Sequence, residues 1–313
     1  MKKVFWFLIL LFAAGFAIHH YNTDSPGANL PENENYPAIE VRHSYDALIS
    51  EESKEIYEEM EHAVYGEPDE ERSNVLCEFE DVDPSEAYLG YRAFTDDHPE
   101  VFWITRGYQL LKQDSLYILS IYPKEELAEK KEEFRVSLEH FLESVPEGLD
   151  QEGLEEYVNS YLMDCCEYDY EALAMQEAED PDRQLISEAG SAYGALVKGK
   201  AVCAGYACAY QVLLNRVGVE CVQIYGQGNS MVDGKRSGKV DHAWNAVRNG
   251  NTWLMTDVTW NDVLGDQYRY YNLPIDEMYR DHNARAVDVD DFHYFLFFNK
   301  ADDDNWDNLF LPE

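Results

Sequence analysis

Apolar and polar positions follow two periods along this chain, and the change of period divides it. From Tyr45 to Val64 the stretch YDALISEESKEIYEEMEHAV is amphipathic with a helical period, and Ser50 is placed to cap it. Residues 84–97 suit a second helix. VFWITRGYQL and SLYILSIYP alternate and are rich in β-branched and aromatic residues, which predicts a pair of strands. KEELAEKKEEFRVSLEHFLESV reads as a charged helix whose apolar stripe is Leu127, Phe134, Leu138 and Phe141, and DQEGLEEYVNSYLMDCC reads as another. An acidic loop runs from Glu171 to Asp182. Beyond it CAGYACAYQVLLNRV sets Ala207, Tyr210 and Leu214 at helical spacing, and the glycine of VGV at 217–219 stops that helix. ECVQIYGQG reads as a strand. HAWNAV and TWLMTDVTW flank RNGN, and Asn-Gly between two strand-like runs signals a hairpin. Helices with a strand pair, then a helix with an antiparallel sheet, predict an α+β fold. Residues 19–44 are polar around SPGANLPENENYP and read as a linker. The expected layout is an N-terminal α/β region at 45–150 and a second domain at 151–313.

The hairpin predicts a register. With Asn249-Gly250 as the turn, Arg248 faces Asn251 and opposed residue numbers add to 499. His242 then faces Asp257, with Cβ atoms about 4.5–5.5 Å apart. A one-residue slip would send them to opposite faces. A carboxylate beside an imidazole fixes its tautomer and favours its charged form, which leaves the other ring nitrogen free for a nucleophile. The plainer reading is a surface cross-strand ion pair. Trp244 and Trp253 share the His242 face and are expected to pack on the helix that begins at Cys203. Trp260, just past the hairpin, is placed to line a site.

Composition narrows the partners. The 313 residues are 45% hydrophobic, enough for one large domain or two modest ones. Acidic residues number 62 and basic ones 24, a net charge of −38. Such a surface repels phosphate backbones, so nucleic acid is not an expected partner, while cationic partners are favoured. At the N-terminus two lysines precede a run that is apolar from Val4 to Ile18, as in a secretory signal. Residues 1–18 are therefore read as a signal peptide, cleaved after Ala17, or as an uncleaved anchor. Either makes the protein secreted or held at the cell surface, touching a membrane only through this segment.

The six cysteines are Cys77, Cys165, Cys166, Cys203, Cys208 and Cys221. They are too few for a disulfide scaffold, and no CxxC spacing suggests zinc. No metal or cofactor is expected. Most free cysteines are buried and inert, a description that suits Cys208 and Cys221. Cys203 differs because it sits where a helix should start, and unpaired N–H groups and the helix dipole there stabilise a thiolate. Gly199 and Gly205 are read as leaving room for a substrate, and Lys198 and Lys200 add local positive charge. Cys208 lies about 140° further round the helix and cannot share that face. A thiol at a helix start, an imidazole on a strand and a carboxylate across a hairpin make an activated nucleophile.

The segments GALVKGKAVCAGYACAYQVLL, DHAWNAV and WLMTDVTWND resemble the transglutaminase-like superfamily over about residues 160–265. The resemblance rests on GKAVCAGYA before a helix, then H-A-W-N, then D-x-T-W-x-D. Upstream, DHPEVFW also looks like bacterial members with an extra N-terminal region. The resemblance implies a papain-like core in which a thiol-bearing helix packs on an antiparallel sheet. It implies Cys203 as nucleophile, His242 as general base and acid, and Asp257 as orienting carboxylate. The Cys203 backbone N–H is a natural oxyanion donor, and Tyr193 is a candidate for the second. The acidic runs at Asp288, Asp290, Asp291 and 302–304 are read as solvated surface rather than a calcium site, and His282 and His293 show no ligand spacing. Three functions compete: an exported thiol enzyme acting on amides or peptides through a thioester, ending in acyl transfer or hydrolysis; a cysteine peptidase on the same core; and a cell-surface binding module without turnover. Protein or peptide substrates are expected, with cell-wall or surface proteins among them.

Overall fold

In this computed structural model the chain is described over residues 30–66, 75–79, 82–104, 110–112, 115–228, 231–232, 235–236 and 242–282. The apolar N-terminal run, the acidic runs from Asp288 onward and His293 lie outside the described residues. Among those described, no helix is long and apolar enough to cross a membrane.

The segment predicted as one helix from Tyr45 is two, His43–Ala47 and Glu51–Tyr65. The break falls at Ser50, whose side chain accepts from the Glu52 N–H and caps the second. Helix Pro84–Asp97 starts on the cap residue Asp83 and carries proline in its first turn, where a missing N–H costs nothing. A strand not foreseen, β1 (Val75–Phe79), joins β2 (Leu110–Lys112) and β3 (Ser115–Leu119) in a sheet of order β1-β3-β2. Helices Lys124–Ser144 and Gln151–Cys165 follow as expected, the first burying Phe134, Leu138 and Phe141. The acidic loop instead contains helix Tyr170–Met175, and a further helix, Arg183–Ala189, follows it; the side chains of Asp169 and Asp182 cap the two.

The second half centres on helix Cys203–Arg216, the thiol helix. It is buried continuously from Gly205 to Asn215 rather than along one stripe, as befits a central helix packed on all sides. It lies on an antiparallel sheet of order β10-β9-β6, formed by β6 (Cys221–Gly226), β9 (His242–Asn249) and β10 (Thr252–Thr256). The contact is polar at its centre. Asn245 Nδ2 donates to Ala207 O at 2.9 Å, the Cys208 thiol meets Gln223 Oε1 at 3.2 Å, and Gln223 Nε2 donates to Gln211 Oε1 at 2.8 Å. The described residues form an α+β architecture with a helical N-terminal region.

Four expectations change. The hairpin pairs Asn249 with Thr252 and Thr256 with Asn245, so opposed numbers add to 501. The corner is Gly250-Asn251, and glycine occupies its first position with φ 61°, as a type II′ turn requires. The two-residue shift keeps every side chain on its predicted face. Trp244 and Trp253 share a face as expected, but it is the face away from the thiol helix. They cluster there with Val41, Ile224, Met255, Tyr270 and Met278, because β9 presents Asn245, not Trp244, to the helix. Residues 32–44 are a packed strap rather than a linker. Asn33 Nδ2 donates to Leu142 O at 2.9 Å, the Tyr36 hydroxyl to Pro146 O at 2.8 Å and the Ile39 N–H to Asn215 O at 2.9 Å, while Val41 is buried. Finally, the described residues from Glu32 onward belong to one compact unit, with no division at 150.

Candidate active site

Short backbone ladders hold the thiol in place. Gly199, at φ 66°, caps a π turn over Gly194–Lys198 in the left-handed region. β5 (Lys200–Ala201) then pairs in parallel with β4 (Glu167–Tyr168), and the Val202 N–H bonds Ala189 O at 2.9 Å. Val202 is thereby held extended as the residue before the helix, and Cys203 is its first helical residue. Gly205 serves this packing rather than a substrate: a Cβ there would sit 2.3 Å from Ala189 O and 2.8 Å from Ala201 Cβ. Cys203 is free and partly exposed, whereas Cys166, Cys208 and Cys221 are buried. Burial pushes the Cys166 thiol up to about 12 and that of Cys221 well above the ordinary value.

His242 is the first residue of β9, opposite Gly226 of β6. Asp257 lies one residue past β10 and caps helix Val258–Leu264. Its two oxygens divide the work. Oδ1 accepts the Trp260 N–H at 3.0 Å, and Oδ2 lies 2.6 Å from His242 Nε2. That bond leaves Nδ1 of the imidazole uncommitted, and the Cys203 thiol lies near enough to the ring to favour its charged form. His242 is 8% exposed and Asp257 fully buried. Burial disfavours the charge on the imidazole, but the Asp257 carboxylate and then the Cys203 thiol outweigh it, so the pKa of His242 is raised. Burial also works against the ionised carboxylate, and His242 and His282 outweigh it, so Asp257 is held well below the usual carboxylate range.

Of the residues expected to line the site, Trp260 and Trp244 do touch the imidazole. Their rings lie 5.2 and 5.9 Å from that of His242, the second stacked at 25°. Tyr193 does not line it. Its ring stacks on Phe102 at 4.7 Å, and its hydroxyl is bonded to Glu133 on helix Lys124–Ser144. It is a core residue, turned away because the π turn separates it from Cys203.

Two residues at the site were missed. The half-buried Tyr168 is close enough to Cys203 and Asp257 that both thiolate and carboxylate help burial hold its proton on. Its pairing with Ala201 puts it there, and the aromatic run in CCEYDY was the one sequence signal. His282 is fully buried, with Nε2 3.0 Å from Asp257 Oδ2 and Nδ1 2.9 Å from Asp281 Oδ1. No local pattern announced it.

His242, Asp257 and His282 bring three potential ligand atoms within 4.8 Å of one another. Tetrahedral zinc with bonds near 2.0–2.1 Å needs ligand atoms roughly 3.3 Å apart. The 2.6 Å between His242 Nε2 and Asp257 Oδ2 is a hydrogen bond, so the three side chains fit a proton-bearing chain better than a coordination sphere.

The comparison with known sequences agrees with this geometry, since residues 146–258 match the family model of the Transglutaminase-like superfamily. This stretch is similar to a transglutaminase-like domain. Cys203, His242 and Asp257 all fall inside it. The chain is also similar to kyphoscoliosis peptidase of Mus musculus, 36% identical over 103 residues, and to that of Homo sapiens, 33% identical over 105 residues. These matches cover 32% and 33% of this chain, and they span only 14% and 15% of the relatives' own lengths. Among solved structures, a TGase matches 58% of this chain and 48% of its own, at 16% identity and a TM-score of 0.32. A protein from Cytophaga hutchinsonii described as a candidate cysteine protease matches 44% of this chain and 40% of its own, at 13% identity and a TM-score of 0.27.

Proposed function

We propose that the transglutaminase-like domain is a thiol-dependent enzyme that cleaves an amide through a thioester on Cys203. The observation that carries this is the 2.6 Å bond between His242 Nε2 and Asp257 Oδ2, with the Cys203 thiol near enough to the imidazole to favour its charged form. Nδ1 of His242 takes the thiol proton, and the sulfur attacks the carbonyl carbon of a protein or peptide amide. As the first helical residue, Cys203 has a backbone N–H with no intrahelical acceptor, and it faces the developing oxyanion. The imidazolium returns the proton to the leaving amine and the C–N bond breaks. Asp257 keeps the Nε2 proton in place throughout and stabilises the imidazolium. Water or a primary amine then opens the thioester, giving hydrolysis or acyl transfer.

A cysteine peptidase on the same core is the second reading, and the similarity to kyphoscoliosis peptidase favours it. A binding module without turnover has no use for a buried carboxylate held ionised behind a histidine. Export through the apolar N-terminal segment is part of the same reading, with cell-wall or surface proteins as substrates. The deciding experiment incubates the purified protein with a peptide library, with and without a primary amine. Products are expected from the native protein, and Cys203→Ala should lose several orders of magnitude in rate while remaining folded. Near-normal turnover by Cys203→Ala would sink the mechanism.

A further inference from the structure

Asp257 is fully buried, yet three donors converge on it. One backbone N–H holds Oδ1. Two imidazoles share Oδ2, His242 at 2.6 Å and His282 at 3.0 Å. His282 comes from a segment remote in sequence, just after the short helix Ile275–Met278. Its ring is enclosed by aromatic neighbours, with centroids 4.3 Å from Trp260, 4.9 Å from Trp244 and 5.4 Å from Tyr270. The far nitrogen faces Asp281 Oδ1, and the other oxygen of Asp281 accepts the Tyr270 hydroxyl at 2.8 Å. A bonded series thus runs from His242 through Asp257, His282 and Asp281 to Tyr270.

We propose that His282 is a positioning residue for the Asp257–His242 pair, donating a second hydrogen bond to Oδ2 that keeps the carboxylate ionised and turned toward the catalytic imidazole. This rests on the reading of Cys203 as the nucleophile. A histidine present only to fill the core could bond any acceptor. This one is spent on the oxygen that already serves His242. A carboxylate without water must draw its stabilisation from protein donors. With His282 in place, rotation about the Asp257 Cβ–Cγ bond would break three hydrogen bonds at once, so the plane of the carboxylate, and through it that of the imidazole, is fixed.

Two substitutions separate positioning from filling. His282→Phe keeps an aromatic ring among Trp244, Trp260 and Tyr270 but removes the N–H that reaches Oδ2. His282→Gln loses the ring and keeps an N–H able to reach Oδ2. Each is measured for kcat and KM on a peptide substrate, for the rate at which iodoacetamide labels Cys203, and for Tm. A lost bond to a charged group predicts a kcat in His282→Phe lower by roughly tenfold to a hundredfold. KM should stay near the native value and labelling should slow in parallel, and His282→Gln should recover most of both rates. Undiminished kcat and labelling in His282→Phe would overturn the proposal. So would equal losses in both variants that track Tm alone. If His282→Phe does not fold, Asp281→Ala decides, because it removes the acceptor that holds Nδ1 at a partly exposed position. A loss of roughly threefold to tenfold in the labelling rate is expected there, and no change would overturn the proposal. Labelling needs no substrate. A native protein that turns over no peptide, but whose Cys203 labels more slowly in His282→Phe, would sink the proposed reaction and leave the positioning role standing.

Discussion

Replacing Asp257 by asparagine tests the site most directly, because the structure defines what an amide can and cannot do there. The carboxylate accepts on both oxygens: Trp260 N–H on one, two imidazole N–H groups on the other. An amide has one oxygen and one NH2. If the oxygen faces the imidazoles, the NH2 meets the Trp260 N–H and the helix cap is lost, a cost of about 0.5–2 kcal/mol. If the oxygen keeps the cap, the NH2 points at His242 Nε2 and demands a lone pair there. The imidazole proton then moves to Nδ1, facing the thiol, and the ring can no longer accept the thiol proton. In either orientation the imidazolium loses its buried counter-charge. The expected result is a fall in kcat of roughly 10³–10⁴-fold, with stability lower by only about 1–3 kcal/mol. Steady-state turnover on the peptide identified from the library, alongside thermal melts, separates the two effects. Asp257→Asn with undiminished kcat would remove the carboxylate from the mechanism. A collapse of fold and activity together would mean that the residue matters chiefly as a cap.

Three further outcomes follow from the same geometry. The raised His242 contributes stability that is fully present below the ordinary histidine range near 6.5 and is lost as pH rises through its elevated value; Tm should decline on the alkaline side, and the decline should flatten in Asp257→Asn, an unchanged slope arguing against the ion pair. Gly205→Ala puts a methyl 2.3 Å from the Ala189 carbonyl oxygen, which no side-chain motion can relieve, so a loss of about 1–3 kcal/mol or more and reduced turnover are expected, and a native Tm would contradict the packing. Brief iodoacetamide treatment with mass mapping should label Cys203 before buried Cys166, Cys208 and Cys221, and also before exposed Cys165; labelling of Cys165 first would deny Cys203 any activation by His242.

What the sequence made legible was local. A glycine-rich approach, a thiol and then an apolar run predict a helix starting at the cysteine, and the first helical residue is Cys203. The Asn-Gly pair announced a hairpin but not which two residues turn the corner. Glycine in the first corner position moved the register by two, and face assignments survived because the side-chain period is two. The partner of Asp257 on its far side was not legible, because His282 reaches it from 25 residues away through tertiary packing alone. The strap was missed for the opposite reason: Tyr36 and Val41 are isolated among prolines, asparagines and glutamates, with no period to mark them as core. The sense in which Trp244 and Trp253 are buried was also misjudged. Alternation said that they share a face, and only the polar seam of Asn245 and Gln223 says which face the thiol helix covers.

The strap also sets an order of events. Its anchors are Leu142 and Pro146 at the end of one helix, Asn215 at the end of the thiol helix, and the Trp253 cluster that Val41 joins. All of them lie more than a hundred residues downstream of the strap. During synthesis the strap therefore emerges early, and its Val41 end waits until the hairpin exists. Such distant pairings are the slow ones. The strap closes the body only after β10 is complete, and a nascent chain arrested before Trp253 would carry Val41 without the surface that buries it.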